Sequence, residues 1–177
     1  MILRETEIPG ALVVEPEPVP DERGLFARIF DAGEFAARGL DDAFVQWSVS
    51  FNERAGTLRG LHFQREPHAE TKLVRCTRGS LYDVVVDLRP DSTTFGRWTS
   101  VELSAKNRLA LYIPKGLAHG FQTLEDGTEV VYAISEQYEP SAAAGVRWDD
   151  PALAIEWPPA ERRIMSEKDA SWPDFNP

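Results

Sequence analysis

The length, composition and charge of this chain exclude several classes of protein. Its 177 residues, 42% hydrophobic and 27% charged, fit one globular domain over residues 1–177 with a sizeable core. A formal net charge of −10 argues against nucleic acid or an anionic membrane as a partner, and no apolar run is long enough to span a bilayer. The single cysteine, Cys76, excludes disulfides within the chain, so we expect a cytoplasmic protein.

The first third of the chain alternates between extended segments and turns. The segments with an extended pattern are residues 12–16, 25–30 and 44–50. Residues 21–24, Asp-Glu-Arg-Gly, have the composition of a turn. The best helix candidate is residues 31–39, with Asp31 as its N-cap, Phe35 packing inward and Gly39 at its end.

Strand patterns dominate from residue 56 onward. The predicted strands are residues 58–64, 71–76, 81–88, 98–103, 109–113, 121–124 and 128–134. Turn signals separate them, such as Pro-Lys-Gly at 114–116 and Glu-Asp-Gly at 125–127, the latter typical of a hairpin. Many short strands at close spacing predict an all-β sandwich or closed roll. We expect the tail, residues 148–177, to wrap this body and to start a short helix at Ser166.

Residues 56–78 concentrate titratable side chains on short apolar strands, where polar groups are costly to bury and often have a chemical role. On a regular strand alternate side chains share a face, so Arg59 and His62 should point in opposite directions. If both serve one pocket, either Gly60 hosts a bulge or a second subunit supplies one of them. The strand pattern is compatible with both arrangements.

Several side chains have both a chemical and a structural interpretation. His62 could act as a general base, because an imidazole titrates near neutral pH, or it could be a core histidine with satisfied nitrogens. Asp83 and Asp87 flank a valine run and could pair with buried cations or lie at a strand edge. By default, Lys72 would be a surface lysine and Tyr132 a core aromatic residue.

A motif around His119 bears on whether the protein binds a metal. Residues 114–119, with the spacing Pro-x-Gly-x-x-His, resemble the second motif of the cupin superfamily, where the histidine can ligate a metal. Cupin metals usually draw also on a His-x-His pair, but the matching place here has His62, Phe63 and Gln64. This ligand set is too small for a typical cupin metal site, so we predict the fold without the metal.

Taken together, motifs along almost the whole chain resemble the nucleotide-sugar epimerase family typified by dTDP-4-dehydrorhamnose 3,5-epimerase. The matching segments are residues 21–24, 57–64, 72–75, 82–89, 92–98, 113–121, 146–151 and 166–169. The resemblance implies a cupin-type jelly roll (a double-stranded β-helix) with short flanking helices. It also implies a homodimer that epimerises a nucleotide-linked 4-keto-6-deoxyhexose, with dTDP as the expected nucleotide and no cofactor.

The same resemblance assigns roles to particular residues. His62 would be the catalytic base, oriented by Asp169, and Tyr132 the acid on the opposite face of the sugar. Lys72 would stabilise the enolate oxygen. These roles are chemically consistent, because a proton next to a ketone is weakly acidic and its removal needs both a base and a positive group at the developing oxyanion. The residues expected to bind the substrate are Arg23, Phe26, Gln46, Arg59, His119, Tyr138 and Lys168.

Two positions depart from the family pattern. Family members of the rhamnose type usually carry a glutamate where this chain has Arg28, and often another where it has Ala143. Residues 47–52 also differ from the usual pattern. Inversion at C3, at C5 or at both therefore stays open, as do a 3,4-ketoisomerase and a non-catalytic cupin that binds a sugar nucleotide. Binding alone would not require an acid–base set, which favours an enzyme.

Overall fold

The computed structural model describes residues 1–175, and its regular secondary structure consists mostly of antiparallel strands. The strands are β1 (Ile2–Glu5), β2 (Leu12–Glu15), β3 (Val19–Asp21), β4 (Gly24–Phe26), β5 (Gln46–Asn52), β6 (Leu58–Gln64), β7 (Lys72–Arg78), β8 (Ser80–Asp87), β9 (Trp98–Ser104), β10 (Ala110–Ile113), β11 (Leu117–Thr123), β12 (Thr128–Ile134) and β13 (Ala143–Gly145). The two short helices are α1 (Ala32–Ala36) and α2 (Glu167–Ala170). Within these residues no helix is long and apolar enough to cross a membrane.

The strands form two sheets that face each other. One has six strands in the order β1-β2-β10-β7-β12-β5, and the other has five in the order β13-β6-β11-β8-β9. From β5 to β8 successive strands alternate between the two sheets, and they do so again from β9 to β12. Strands that switch sheets in this way make a jelly roll, so the predicted all-β fold is confirmed. The pair β3-β4 stands apart from both sheets as a separate hairpin.

The main core lies between the two sheets. Inward-facing side chains of β7, β8, β11 and β12 meet there, among them Val74, Val85, Phe121 and Val130, each at most 1% exposed. Cys76 belongs to the same cluster, and burial raises the pKa of its thiol. The cysteine is therefore a packing residue, as expected for a small apolar side chain with no access to solvent.

Two further clusters cover the outer faces of the sheets. Phe35 of α1 packs with Val14, Leu73 and Tyr112 against the six-stranded sheet. Leu153 of the tail packs with apolar side chains of β6, β8 and β11 on the five-stranded sheet. The expectation that the tail wraps the body is confirmed through residue 175, while residues 176 and 177 of that prediction lie outside the described residues.

The prediction of a strand over residues 25–30 was wrong beyond Phe26. The chain leaves the hairpin at that point, because Phe30 turns inward to pack edge-on against Phe35 and Phe44. The helix is also shorter than predicted and ends at Ala36, although Asp31 caps it by accepting a hydrogen bond from the Glu34 N–H at 3.1 Å. The strands β1, β3 and β13, each of three or four residues, were not predicted.

A buried carboxylate holds the loop after β8. Asp87 is fully buried and accepts hydrogen bonds from the Arg89 guanidinium at 2.8 Å and from the hydroxyls of Ser92 and Thr94, each at 2.6 Å. Burial alone would raise the pKa of Asp87, but these donors outweigh it and hold the pKa well below its usual value. The ionised carboxylate thus stabilises the fold above about pH 4, and this contribution is lost as the pH falls toward the folded-state pKa.

We expect Asp87→Asn to lower the free energy of unfolding at pH 7 by about 3 kcal/mol, because it leaves the Arg89 cation without its buried partner. Urea unfolding of the variant and the wild type at pH 7 and pH 3 measures this, and the difference between them should narrow at pH 3. The control is Asp91→Asn, an exposed aspartate in the same loop. An equal difference at both pH values would contradict this account of Asp87.

Candidate active site

A cleft of about 310 Å³ opens between the two sheets. Strands β5, β7 and β12 line one wall, and β6 and β11 line the other. Seven of the residues predicted from the sequence line this cleft: Gln46, Arg59, His62, Lys72, His119, Tyr132 and Tyr138. Residues more than 90 positions apart in the chain are therefore gathered at one place by the sheet topology.

A bulge at Gly60 brings Arg59 and His62 into the same cleft. His119 of β11 pairs with His62, and Phe121 pairs with Arg59, so three steps along β6 match two along β11. Gly60 has a φ of 130°, and a Cβ at this position would lie 2.5 Å from the Gly120 Cα. Of the two arrangements that the sequence allowed, the chain adopts the bulge, which only glycine permits at this φ.

His62 is paired with Asp169. Its Nε2 lies 2.6 Å from Asp169 Oδ1, and the imidazole remains 41% exposed toward the cleft. Ser166 caps α2 by accepting a hydrogen bond from the Asp169 N–H at 3.1 Å, which fixes where the carboxylate lies. Burial alone would raise the pKa of Asp169, but hydrogen bonds from His62, Gly60 N and Trp172 Nε1 outweigh it and lower the pKa. Asp169 is therefore an ionised carboxylate that orients the imidazole.

Tyr132 enters the cleft from the opposite sheet. Burial raises the pKa of its phenol, and the negative charge of Asp83 raises it further, while Arg59 and Ser50 act in the other direction. The ring packs edge-on against His119 at a centroid distance of 6.2 Å. Because its pKa lies above the usual value, Tyr132 carries its proton throughout the neutral range and can donate it.

His119 is held by a second carboxylate. Its Nε2 lies 2.6 Å from Asp83 Oδ1, and both side chains are nearly or fully inaccessible to solvent. Asp83 lies on an inner strand of its sheet with a histidine as its partner, so it is not a charge at a strand edge. The other carboxylate oxygen, Oδ2, has no hydrogen-bond partner among residues 1–175.

Lys72 is buried. The default interpretation, which placed it on the surface, was therefore wrong. Lys72 is 8% exposed, and its Nζ lies 2.8 Å from Glu70 Oε1 and 3.4 Å from the His62 carbonyl oxygen. The sequence analysis missed Glu70. Glu70 precedes β7, so strand alternation does not point to it, and its position two residues before Lys72 is the one signal for the pair. Ser48 and Ser50 were missed too, although they continue the alternation that begins at Gln46.

Three of the residues expected to bind substrate lie outside this cleft. Arg23 and Phe26 are on the exposed β3-β4 hairpin, with the Phe26 side chain 71% exposed. Lys168 lines a side chamber of about 230 Å³ that shares His62, Glu70 and Tyr138 with the cleft. Ala143, which departs from the family pattern, lines the same chamber, whereas Arg28 forms an exposed ion pair with Asp31.

The cleft contains the groups of an acid–base enzyme. Among residues 1–175, no cluster of three or more His, Cys, Asp or Glu side chains is placed to hold a metal ion. A paired imidazole, a buried ammonium and a protonated phenol can instead remove a proton, stabilise the resulting anion and return a proton. A jelly roll that carries this set of groups defines an isomerase of the cupin type.

The chain belongs to the dTDP-4-dehydrorhamnose 3,5-epimerase family, whose sequence profile matches residues 5–177. The family member from Methanothermobacter thermautotrophicus is 47% identical over 95% of this chain and 91% of its own length. The crystal structure of the enzyme from Elizabethkingia anophelis has a TM-score of 0.96 at 40% identity and covers 99% of this chain and 96% of its own. A 3′-monoepimerase from Streptomyces bikiniensis, solved with dTDP-quinovose, has a TM-score of 0.89 at 36% identity, covering 96% of this chain and 85% of its own.

The bulge at Gly60 can be tested by substitution. We expect Gly60→Ala to lower the free energy of unfolding by roughly 2 kcal/mol more than Gly24→Ala, as measured by urea unfolding. Both glycines have a similar φ, 130° and 137°, but a Cβ at Gly24 would meet nothing within 4 Å. The two variants therefore share the backbone cost and differ in the clash with Gly120. Equal losses would show that β6 and β11 can move apart there.

Proposed function

We propose that this protein inverts C3 and C5 of a dTDP-linked 4-keto-6-deoxyhexose through an enolate, without a metal or organic cofactor. The observation that supports it best is that His62 and Tyr132 enter one cleft from opposite sheets. Inversion beside a ketone needs a base on one face of the sugar and an acid on the other, because the proton must return to the face opposite the one it left. A cytoplasmic location belongs to this proposal and agrees with the single, buried cysteine.

Each of the four catalytic groups has one task in this reaction. His62 accepts the proton, and the ionised Asp169 holds the ring in place and stabilises the imidazolium that forms. Lys72 presents its ammonium to the carbonyl oxygen as that oxygen becomes negative. Tyr132 then donates its proton to the other face of the ring, for which a neutral phenol is required.

The nucleotide part of the substrate is an anion, and local cations must overcome the net charge of −10. Arg59 is suited to this, because its Nε donates to Asn52 Oδ1 at 2.8 Å and so holds the guanidinium at the cleft. Tyr138, 58% exposed at the rim, offers a ring on which a base can stack. Its N–H donates to Gln46 Oε1 at 2.8 Å, which anchors that part of the loop.

A homodimer is part of the same proposal. Strand β5 is an edge strand whose outward side chains Trp47, Val49 and Phe51 are 57%, 63% and 50% exposed. Such an apolar stripe is typical of a protein interface. A partner covering it would also explain the exposed hairpin, since Arg23 and Phe26 could then complete the cleft of the other subunit.

A second candidate reaction is inversion at C3 alone. The similar structure from Streptomyces bikiniensis is a 3′-monoepimerase, so this fold supports that outcome at 36% identity. Ala143, where this chain departs from the family pattern, lines the chamber beside His62, so the departure lies close to the proposed base. The two candidates differ in where solvent hydrogen enters the product: at C3 only, or at both C3 and C5.

The decisive experiment incubates dTDP-4-keto-6-deoxyglucose with the protein in deuterated water after exhaustive chelation of metals. We expect Tyr132→Phe to incorporate deuterium with retained configuration, because His62 still forms the enolate and returns the label to the same face. Inverted product should fall roughly 100-fold or more, the usual effect of losing a positioned acid. Mass spectrometry measures the label, and NMR gives its position and configuration.

The matched variant is His62→Ala, which should lose exchange while the affinity for dTDP, measured by calorimetry, changes little. Asp169→Asn should slow exchange less completely, since it removes the orienting carboxylate and not the base. If Tyr132→Phe inverts the sugar as fast as the wild type, another group must be the acid. Loss of wild-type activity on chelation would refute the metal-free part of the proposal.

The interface is tested by Val49→Lys, which places a charge in the apolar stripe of β5. We expect the wild type to sediment as a dimer and the variant as a monomer, with a lower kcat/KM because the partner's hairpin is lost. The control is Glu102→Lys, which introduces the same residue at an exposed position of β9. A fully active wild-type monomer in sedimentation would contradict the dimer.

A further inference from the structure

Glu70 is an unexpected residue in a cleft that binds an anion. Among residues 1–175 it is the single carboxylate that lines the cleft, and it also forms part of the wall of the side chamber. Its side chain is only 10% exposed. A negative charge at this place repels a nucleotide sugar, so its presence calls for a compensating role.

The backbone on both sides of Glu70 is firmly anchored. Gln64, 4% exposed, donates from Nε2 to the His68 carbonyl oxygen at 3.0 Å. The Thr71 N–H donates to Ser135 Oγ at 2.8 Å, and the Ser135 N–H donates back to the Thr71 carbonyl oxygen at 3.0 Å. A carboxylate on such a segment has a defined position, as a group that orients another one must.

The carboxylate of Glu70 is used by Lys72. Glu70 Oε1 lies 2.8 Å from Lys72 Nζ, and both side chains are 10% exposed. The other titratable groups that line the cleft come from β6, β11, β12 and the loop after β12: Arg59, His62, His119, Tyr132 and Tyr138. None of these is a carboxylate, and Asp169 and Asp83 are engaged by the two histidines. Within the described chain, Glu70 is thus the counter-ion of the buried ammonium.

We propose that Glu70 is a positioning residue that keeps Lys72 charged and directs its ammonium toward the carbonyl oxygen of the sugar. A buried ammonium without a counter-ion readily gives up its proton, and a neutral amine would not stabilise an enolate. With Glu70 in place, the pair is neutral before the reaction. The ammonium then turns its charge to the enolate oxygen as that oxygen becomes negative, and the proton stays on nitrogen throughout.

The test is Glu70→Gln, which keeps the shape of the side chain and removes its charge. This inference rests on the proposed function. The rate to be measured is therefore that of deuterium exchange into dTDP-4-keto-6-deoxyglucose, and the rate of the variant is compared with that of the wild type. We expect kcat to fall on the order of 10- to 100-fold, as for a misplaced catalytic group. KM should stay the same or fall, because loss of a negative charge does not weaken the binding of an anion.

A double-mutant cycle shows whether Glu70 acts through Lys72. In a Lys72→Met background, Glu70→Gln should have no further effect on kcat. If the two residues acted independently, the fold-changes in kcat of the two substitutions would multiply. The control is Glu66→Gln, an exposed glutamate in the same loop, which should match the wild type.

The outcomes separate this inference from the proposed function. If the wild type exchanges no deuterium, the proposed function fails. Two results with an active wild type would show that Glu70 is not a positioning residue. In the first, Glu70→Gln behaves like Glu66→Gln. In the second, Glu70→Gln lowers kcat by the same factor with and without Lys72→Met. A higher KM with an unchanged kcat would likewise overturn the proposal, since it would make Glu70 a binding group.

Discussion

The close approach of β6 and β11 is the constraint on which the active site depends. Gly60 and Gly120 face each other with so little room that a Cβ on the first would lie 2.5 Å from the Cα of the second, and one on Gly120 would lie 2.8 Å from the Arg59 carbonyl oxygen. The extra residue on β6 is accommodated at this point. Without it, the two-residue period of a strand would turn either Arg59 or His62 away from the cleft.

The second organising feature is that the carboxylates at the cleft are paired. His62 with Asp169, His119 with Asp83, and Lys72 with Glu70 bring three carboxylates against three of the polar side chains that line the cleft. Each carboxylate contacts its partner while the two imidazoles and the lysine side chain still line the cleft. A buried charge is tolerated only with such a partner, and here the same pairing fixes the orientation of the side chains to which the proposed function assigns proton transfer.

Tyr132 shows how one environment can serve two purposes. The hydrophobic space between the sheets, which stabilises the fold, also raises the pKa of the phenol and so keeps it protonated. The nearby negative charge of Asp83 adds to this effect and also holds His119. The burial that packs Tyr132 in the core therefore also keeps its phenol neutral.

Much of the fold could be predicted from the sequence, because its signals are local. Alternation predicted the strands that became β6, β8, β9 and β12, and the caps Asp31 and Ser166 predicted where the two helices begin. The residue types of the acid–base set were also visible, and the resemblance of separated motifs predicted the family. These features depend on neighbours within a few residues, or on motifs that can be matched one by one.

Only the tertiary structure decided how these residues meet. His62 and Asp169 are 107 positions apart, and a period of two contains no information about a partner so distant. The choice of a bulge at Gly60, the pairing of Asp83 with His119 and the burial of Lys72 beside Glu70 all depend on which strands become neighbours. The sequence by itself determined the strands, the caps and the chemical groups, because these follow from local preferences. The three-dimensional packing of two sheets determined the cleft, because distance in space is set by strand order and not by position along the chain.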